Sequence, residues 1–251
     1  MPDTILTTED LTKKIKDKRA VNRVSITLNK GDIYGLIGSS GAGRTTFMRL
    51  VCGLTKPTEG SISLFGVTGE RQLQKARKRV GAMVGEPALY RELTALENLI
   101  VQSRYFRHPA SEEEMRELLE QVGLENMAKK RVGAFSMGMR RQLGVALALV
   151  GNPDFVILDE PYLEVDDEKT EQMRKLLVRL NREKGLTILF SSVTPERLPE
   201  LATRYGFLYG GRLVRELFGE ACRVECEQRR AVKENEALIQ GQGSGFGMGG
   251  V

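Results

Sequence analysis

Gly38-Ser39-Ser40-Gly41-Ala42-Gly43-Arg44-Thr45-Thr46 follows the apolar run Ile33-Tyr34-Gly35-Leu36-Ile37 and leads into Phe47-Met48-Arg49-Leu50-Val51. Strand, glycine-rich turn and amphipathic helix, in that order, make a phosphate-binding P-loop. The glycines let backbone N–H groups converge on a phosphate, and the helix that follows aims its positive end at the same point. The motif calls for G-x-x-x-x-G-K-[ST]; Gly38, Gly41, Gly43 and Thr45 fit it. Arg44 stands where the lysine is expected.

Outward from this loop the chain alternates strands and helices. Before it, residues 5–29 alternate apolar and polar, and 20–28 read as an antiparallel strand. After it, a turn-rich connection leads to strands at 61–66 and 80–84. Residues 94–150 then take helical periodicity, with helices at 97–105, 112–121 and 139–150. Phe155-Val156-Ile157-Leu158 is an unbroken apolar run of the kind buried in parallel sheets. A helix at 168–183, a strand at 186–190, a weak helix at 195–204 and a hairpin at 206–214 follow. The glycine-rich end of the chain is low-complexity and reads as disordered.

The run at 155–158 ends in Asp159-Glu160-Pro161. A strand-end aspartate holds Mg²⁺ while the P-loop hydroxyl, Thr45, ligates it directly. The next carboxylate, Glu160, is placed to polarise an attacking water as general base. The order and separation of the two motifs, with a helical block between them, make coincidence improbable.

Composition narrows the classes. With 251 residues, 41% of them hydrophobic, the chain buries one substantial core. Its net charge of +5 comes from Lys and Arg interspersed with acids, a solvated surface and not a nucleic-acid patch. No apolar run approaches the roughly 20 residues that span a bilayer, and no signal peptide is read, so a cytosolic protein is expected. Cys52, Cys222 and Cys226 form no CxxC pair, against a disulfide framework or zinc site. His108 is the only histidine, which leaves no material for a histidine-based triad.

Together these motifs resemble the ATP-binding subunits of ABC transporters, most closely the bacitracin-export and lantibiotic-immunity type. The resemblance covers about residues 5–215. It includes Phe135-Ser136-Met137-Gly138-Met139-Arg140-Arg141-Gln142-Leu143-Gly144 as the signature, and Gly85-Glu86-Pro87-Ala88-Leu89-Tyr90 followed by Leu93-Thr94-Ala95. Asp166 in the D-loop position, Ser191-Ser192 ahead of the switch position and the closing Gly210-Gly211-Arg212 complete it. The resemblance implies a head-to-tail dimer with ATP between one subunit's P-loop and the other's signature, Ser136 to Met139. It also implies Mg²⁺, a membrane-spanning transporter subunit as partner, and a cytoplasmic place on the inner face of the cell membrane through that subunit.

Five positions depart from the family's pattern. Arg44 keeps the charge but is a bulkier planar fork than an ammonium. Val193 stands at the switch position, where a histidine senses the terminal phosphate, so that contact is lost. Gly85 falls where a Gln or Glu meets Mg²⁺, with Glu86 one residue away as a substitute. Ile15 replaces the aromatic that stacks on adenine. Leu163-Glu164-Val165-Asp166-Asp167 keeps one aspartate without the usual small-residue turn. Arg140 and Arg141 read as solvated helix-start charges.

The expected fold is α/β: a P-loop nucleoside-triphosphatase of the ABC type, with a parallel core sheet, an antiparallel N-terminal lobe and an inserted helical subdomain. The expected organisation is an ATP-binding domain over 1–220, with 88–150 inserted, and a short C-terminal segment over 221–251. The expected function is the energy-coupling ATPase subunit of an exporter of peptide antibiotic or similar amphiphile, slowed by Arg44, Gly85 and Val193. It pairs with a second ATP-binding subunit, alike or different. Two readings stay open beside it: a non-hydrolysing regulatory half of a heterodimer, and a soluble ABC-type ATPase acting on nucleic acid. The second is disfavoured by the single P-loop and the unpatterned charge.

Overall fold

The computed structural model describes residues 3–106, 109–193 and 202–219. Two sheets organise them. The smaller is antiparallel, in the order β2-β1-β4, from β1 (Thr4–Ile15), β2 (Lys18–Asn29) and β4 (Glu59–Leu64). The larger has six strands. It contains β3 (Ile33–Ile37), β5 (Val80–Met83), β6 (Phe155–Leu158), β7 (Thr187–Ser192), β8 (Arg204–Tyr209) and β9 (Arg212–Phe218), in the order β5-β6-β7-β3-β8-β9. Its first five strands run parallel; β9 turns back antiparallel to β8.

The alternation of side chains along the central strands divides the core in two. Ile33 and Ile37 of β3, Val156 and Leu158 of β6, and Ile188 and Phe190 of β7 point to one face. There they pack with helices α3 (Ala95–Ser103), α4 (Glu112–Gln121), α5 (Met137–Leu149) and α6 (Asp167–Lys184). Tyr34, Leu36, Phe155, Ile157 and Leu189 point to the other face. They meet the antiparallel sheet, α1 (Arg44–Val51) and α2 (Glu70–Ala76). A strand with a helix or sheet on each face must be apolar at every position, which is why β3 and β6 are unbroken apolar runs.

The α/β class, the parallel core sheet and the antiparallel N-terminal lobe agree with the expectation. Boundaries moved where the sequence lacks a strong signal. α1 begins at Arg44 and not at Phe47, because its N-cap is Gly43, which offers no side-chain cap. The strand expected at 61–66 ends at Leu64, since Phe65 takes a positive φ in the turn that follows. The strand expected at 186–190 extends to Ser192. α2, which the sequence reading misses, buries only Leu73 and Ala76. The helix expected at 195–204 lies mostly outside the described residues, and its last residue, Arg204, opens β8. His108, Cys222, Cys226 and the glycine-rich end also lie outside them.

Candidate functional site

Parallel sheets bind ligands at the carboxyl ends of their strands. Here three adjacent strands, β6, β7 and β3, end together. β3 runs into the P-loop, β6 into Asp159-Glu160, and β7 into Ser191, Ser192 and Val193. Residues far apart in sequence thus share one edge.

The P-loop is held at both ends by backbone bonds. The Gly38 N–H donates to the Ser192 carbonyl at 3.3 Å, and the Ala42 carbonyl accepts from Gly211 at 3.0 Å. Gly211 belongs to the β8–β9 turn, so the closing Gly210-Gly211 pair backs the phosphate loop. Gly43 sits at φ +108°, and a Cβ there would lie 2.2 Å from the Ala20 carbonyl oxygen. Only glycine fits that position. Ser39, Ser40 and Gly41 are exposed, Thr45 and Thr46 half-buried, and Arg44 buried. No side chain caps α1, which leaves its first N–H groups for an anion.

Arg44 forms an ion pair with Glu160, Nη1 to Oε1. Its Nε is buried without a hydrogen-bond partner among the described residues. Glu160 has φ +49°, rare for a residue with a Cβ. Its second oxygen, Oε2, accepts from the backbone N–H of Val193 at 3.3 Å. Its own N–H donates to the Ser191 hydroxyl at 3.0 Å.

Asp159 is buried, and both carboxylate oxygens are occupied on one side. Oδ1 accepts from the Ser191 hydroxyl at 2.5 Å, and Oδ2 from the Gly85 N–H at 3.1 Å. Its backbone N–H donates to the Met83 carbonyl at 2.8 Å, and its carbonyl accepts from Arg141 Nη1 at 3.1 Å. β5 with the turn after it, β7 and α5 therefore fix this residue.

The signature stretch starts α5. Ser136 is the N-cap, its hydroxyl accepting from the Met139 N–H at 3.2 Å. Gly138 is buried under the loop after β6: a Cβ there would lie 2.3 Å from the Glu164 carbonyl oxygen. Asp166 is exposed and caps α6, accepting from the Lys169 N–H at 2.8 Å.

A P-loop, a strand-end acid pair two strands away and a serine-capped signature helix against the following loop define a nucleotide-binding cassette, and comparison with known proteins agrees. Residues 21–163 match the family model described as "ABC transporter". The chain belongs to the ABC transporter ATP-binding family. It is 38% identical over 215 residues to the bacitracin transport ATP-binding protein BcrA of Bacillus licheniformis, covering 85% of this chain and 70% of that one. It is 34% identical to the lantibiotic transport ATP-binding protein SrtF of Streptococcus pyogenes, covering 84% of this chain and 90% of that one. Among solved structures, a dimeric post-hydrolysis ATP-binding cassette, MJ0796 bound to ADP and Pi, superposes with TM-score 0.77 at 27% identity. It covers 85% of this chain and 98% of its own. The chain is thus an ATP-binding subunit of an ABC transporter. Among the described residues no helix is long and apolar enough to cross a membrane.

Within this ABC cassette, the structure adds contacts that the sequence does not show and corrects one expectation, that for Arg141. Glu160 is paired with Arg44. Val193 has no polar side chain at the switch position; its side chain is exposed and its backbone N–H reaches Glu160. Gly85 serves through its N–H, at φ +78°. Glu86 is exposed and lines a cleft with Cys52, Arg77 and Gln102 that includes no P-loop residue. Arg141 is not a solvated charge: it ties α5 to Asp159. Met137 is exposed, whereas Met139 packs against the core behind it, so only Ser136 and Met137 of the signature present side chains outward. Ile15, at the hairpin end of β1, is exposed.

The donor set suits a hard cation. Asp159 and Thr45 supply oxygen only, and among the described residues no three His, Cys, Asp or Glu cluster into an all-protein cage. Proteins commonly hold Mg²⁺ through one or two oxygens of their own, with water and phosphate completing the sphere.

Proposed function

We propose that this chain is the energy-coupling subunit of an exporter of a peptide antibiotic or similar amphiphile, and that its own P-loop site hydrolyses ATP slowly. The named activities of the bacitracin and lantibiotic transport relatives support the substrate class. Gly38 to Thr46 hold the phosphates, Thr45 and Asp159 hold Mg²⁺, and Glu160 is the general base. The metal, when bound, neutralises charge on the phosphate oxygens. Ser136 and Met137 face the nucleotide of a second ATP-binding subunit, and a separate membrane subunit takes up the motion and keeps the cassette at the inner membrane face.

The Arg44–Glu160 pair carries the slow-turnover reading. A carboxylate acts as base only through an oxygen that can reach the water's proton, and the Arg44 guanidinium occupies Oε1 of Glu160. An incoming triphosphate must compete for Arg44 before Glu160 is released. Val193, without a side-chain sensor, gives no further help in that exchange.

Binding and single-turnover hydrolysis of ATP by the purified chain test this, beside the Arg44→Lys, Val193→His double variant. The wild type is expected to bind ATP and turn over slowly, with the repaired variant at least tenfold faster. Equal rates overturn the impairment. A Glu160→Gln variant as active as wild type overturns the base assignment.

A further inference from the structure

We infer that Ser191 is a positioning residue for both acids of the site, orienting the Asp159 carboxylate for the metal and locking the backbone of Glu160; this rests on the roles proposed above for those two residues.

β7 lies between β6 and β3, so its last residues stand between the acid pair and the P-loop. Ser191 is fully buried there. A hydroxyl has one proton and two lone pairs. The Glu160 N–H can only donate, so it takes a lone pair of Ser191 Oγ at 3.0 Å. The single hydroxyl proton is then committed to Asp159 Oδ1 at 2.5 Å. With the Gly85 N–H on Oδ2 at 3.1 Å, each Asp159 oxygen has one donor and keeps further lone-pair capacity. The carboxylate is thereby fixed in plane and rotation before any cation arrives. Groups that orient a metal-binding carboxylate typically change metal affinity about 10- to 100-fold when removed.

The same hydroxyl acts on Glu160 through the backbone. Glu160 sits at φ +49°, a conformation that persists only where its surroundings over-determine it. The Ser191 hydroxyl satisfies its N–H, and the Leu163 N–H donates to its carbonyl at 3.2 Å. That turn directs the side chain back toward Arg44 and the Val193 N–H.

The test uses the full chain and ADP, so it reads no turnover. ADP affinity is measured by calorimetry in Mg²⁺ and in EDTA, with thermal midpoints alongside, for wild type, Ser191→Ala, Ser191→Cys and Asp159→Asn. Ser191→Ala is expected to reduce the Mg²⁺-dependent gain in affinity about tenfold while leaving the EDTA value within about twofold. Ser191→Cys, which keeps the packing with a weaker donor, falls between and carries the test if the alanine variant does not fold. An unchanged Mg²⁺ gain in the serine variants overturns the inference, as does an equal loss with and without Mg²⁺, which marks a structural role only. If Asp159→Asn also keeps the full Mg²⁺ gain, the metal assignment itself falls; if it loses the gain while the serine variants keep it, only the role of Ser191 falls.

Discussion

Arg44 and Glu160 meet across the end of β7, Nη1 of the guanidinium on Oε1 of the carboxylate, while the Val193 N–H occupies Oε2. Two substitutions that look independent in sequence therefore converge on one carboxylate. The arginine fork reaches Glu160 because it is long and planar, with donors to spare for a neighbour as well as a phosphate. Among the described residues its Nε has no hydrogen-bond partner, so the guanidinium keeps a donor beyond this pair.

Neutralising Glu160 should therefore strengthen nucleotide binding even without hydrolysis. In Glu160→Gln the phosphates no longer compete with a carboxylate for Arg44, an interaction of roughly 1.5 kcal/mol for a charged hydrogen bond. ADP is expected to bind about tenfold tighter to Glu160→Gln than to wild type. In an Arg44→Ala background the same change should have no such effect. Calorimetry with ADP measures both, and an unchanged affinity in Glu160→Gln would show that the pair does not compete with nucleotide.

How much of this was legible before the structure depends on the element. The strands at Ile33–Ile37 and Phe155–Leu158 are readable to the residue because burial on both faces forces every position to be apolar. α4 is readable from its helical periodicity over 112–121, and the structure adds a Ser111–Glu114 capping box at its start. α2 escapes detection since two buried residues make too faint a stripe. The Arg44–Glu160 pair was not legible: its partners are 116 positions apart, and their meeting depends on which strand lies between β3 and β6. Arg141 misleads for the same reason, since nothing local marks a helix-start arginine as a donor to the carbonyl just past the end of β6.

The packing of α5 against the loop after β6 predicts opposite outcomes for two neighbouring residues. Gly138→Ala places a methyl 2.3 Å from the Glu164 carbonyl, which is backbone and cannot swing aside. Overpacking of this kind costs about 1–3 kcal/mol. Met137→Ala, at an exposed position, should change stability by less than about 0.5 kcal/mol. Urea denaturation separates them. If Gly138→Ala is as stable as wild type, the close approach of these segments is wrong.

Two capping boxes give a pH-dependent contribution. Glu97 accepts from the Thr94 N–H at 2.7 Å, and Glu114 from the Ser111 N–H at 2.6 Å. These backbone donors hold both carboxyls below their ordinary 4.5. Depressed carboxyls stabilise the fold above the unfolded value, and that contribution is lost as pH falls through the folded one. Between pH 5 and 3 the wild type should lose more stability than a Glu97→Gln, Glu114→Gln double variant. Thr94→Ala and Ser111→Ala should each cost about 1 kcal/mol at neutral pH. Parallel acid-unfolding curves for wild type and the double glutamine variant would remove the caps from the account.

Cys52 offers a probe of the cleft beside β5. The thiol is half-buried just past α1, on a wall shared with Arg77, Met83 and Gly144. Burial pushes it from 9.0 up to about 12, against the pull of the Arg77 guanidinium and with a small push from Asp159. Only thiolate is alkylated. At pH 8 the thiolate fraction scales as ten to the power of pH minus pKa, so Cys52 should react about a thousandfold more slowly than an ordinary cysteine thiol. In a Cys222→Ser, Cys226→Ser background, iodoacetamide should leave Cys52 untouched in the native chain and modify it fast in urea. The sign for stability follows: the unfolded thiol ionises near 9 and the folded one near 12, so ionisation favours unfolding as pH climbs between them. Cys52→Ala should remove that alkaline slope. Native-state alkylation at the rate of the unfolded chain would show the cleft open to solvent and the thiol unshifted.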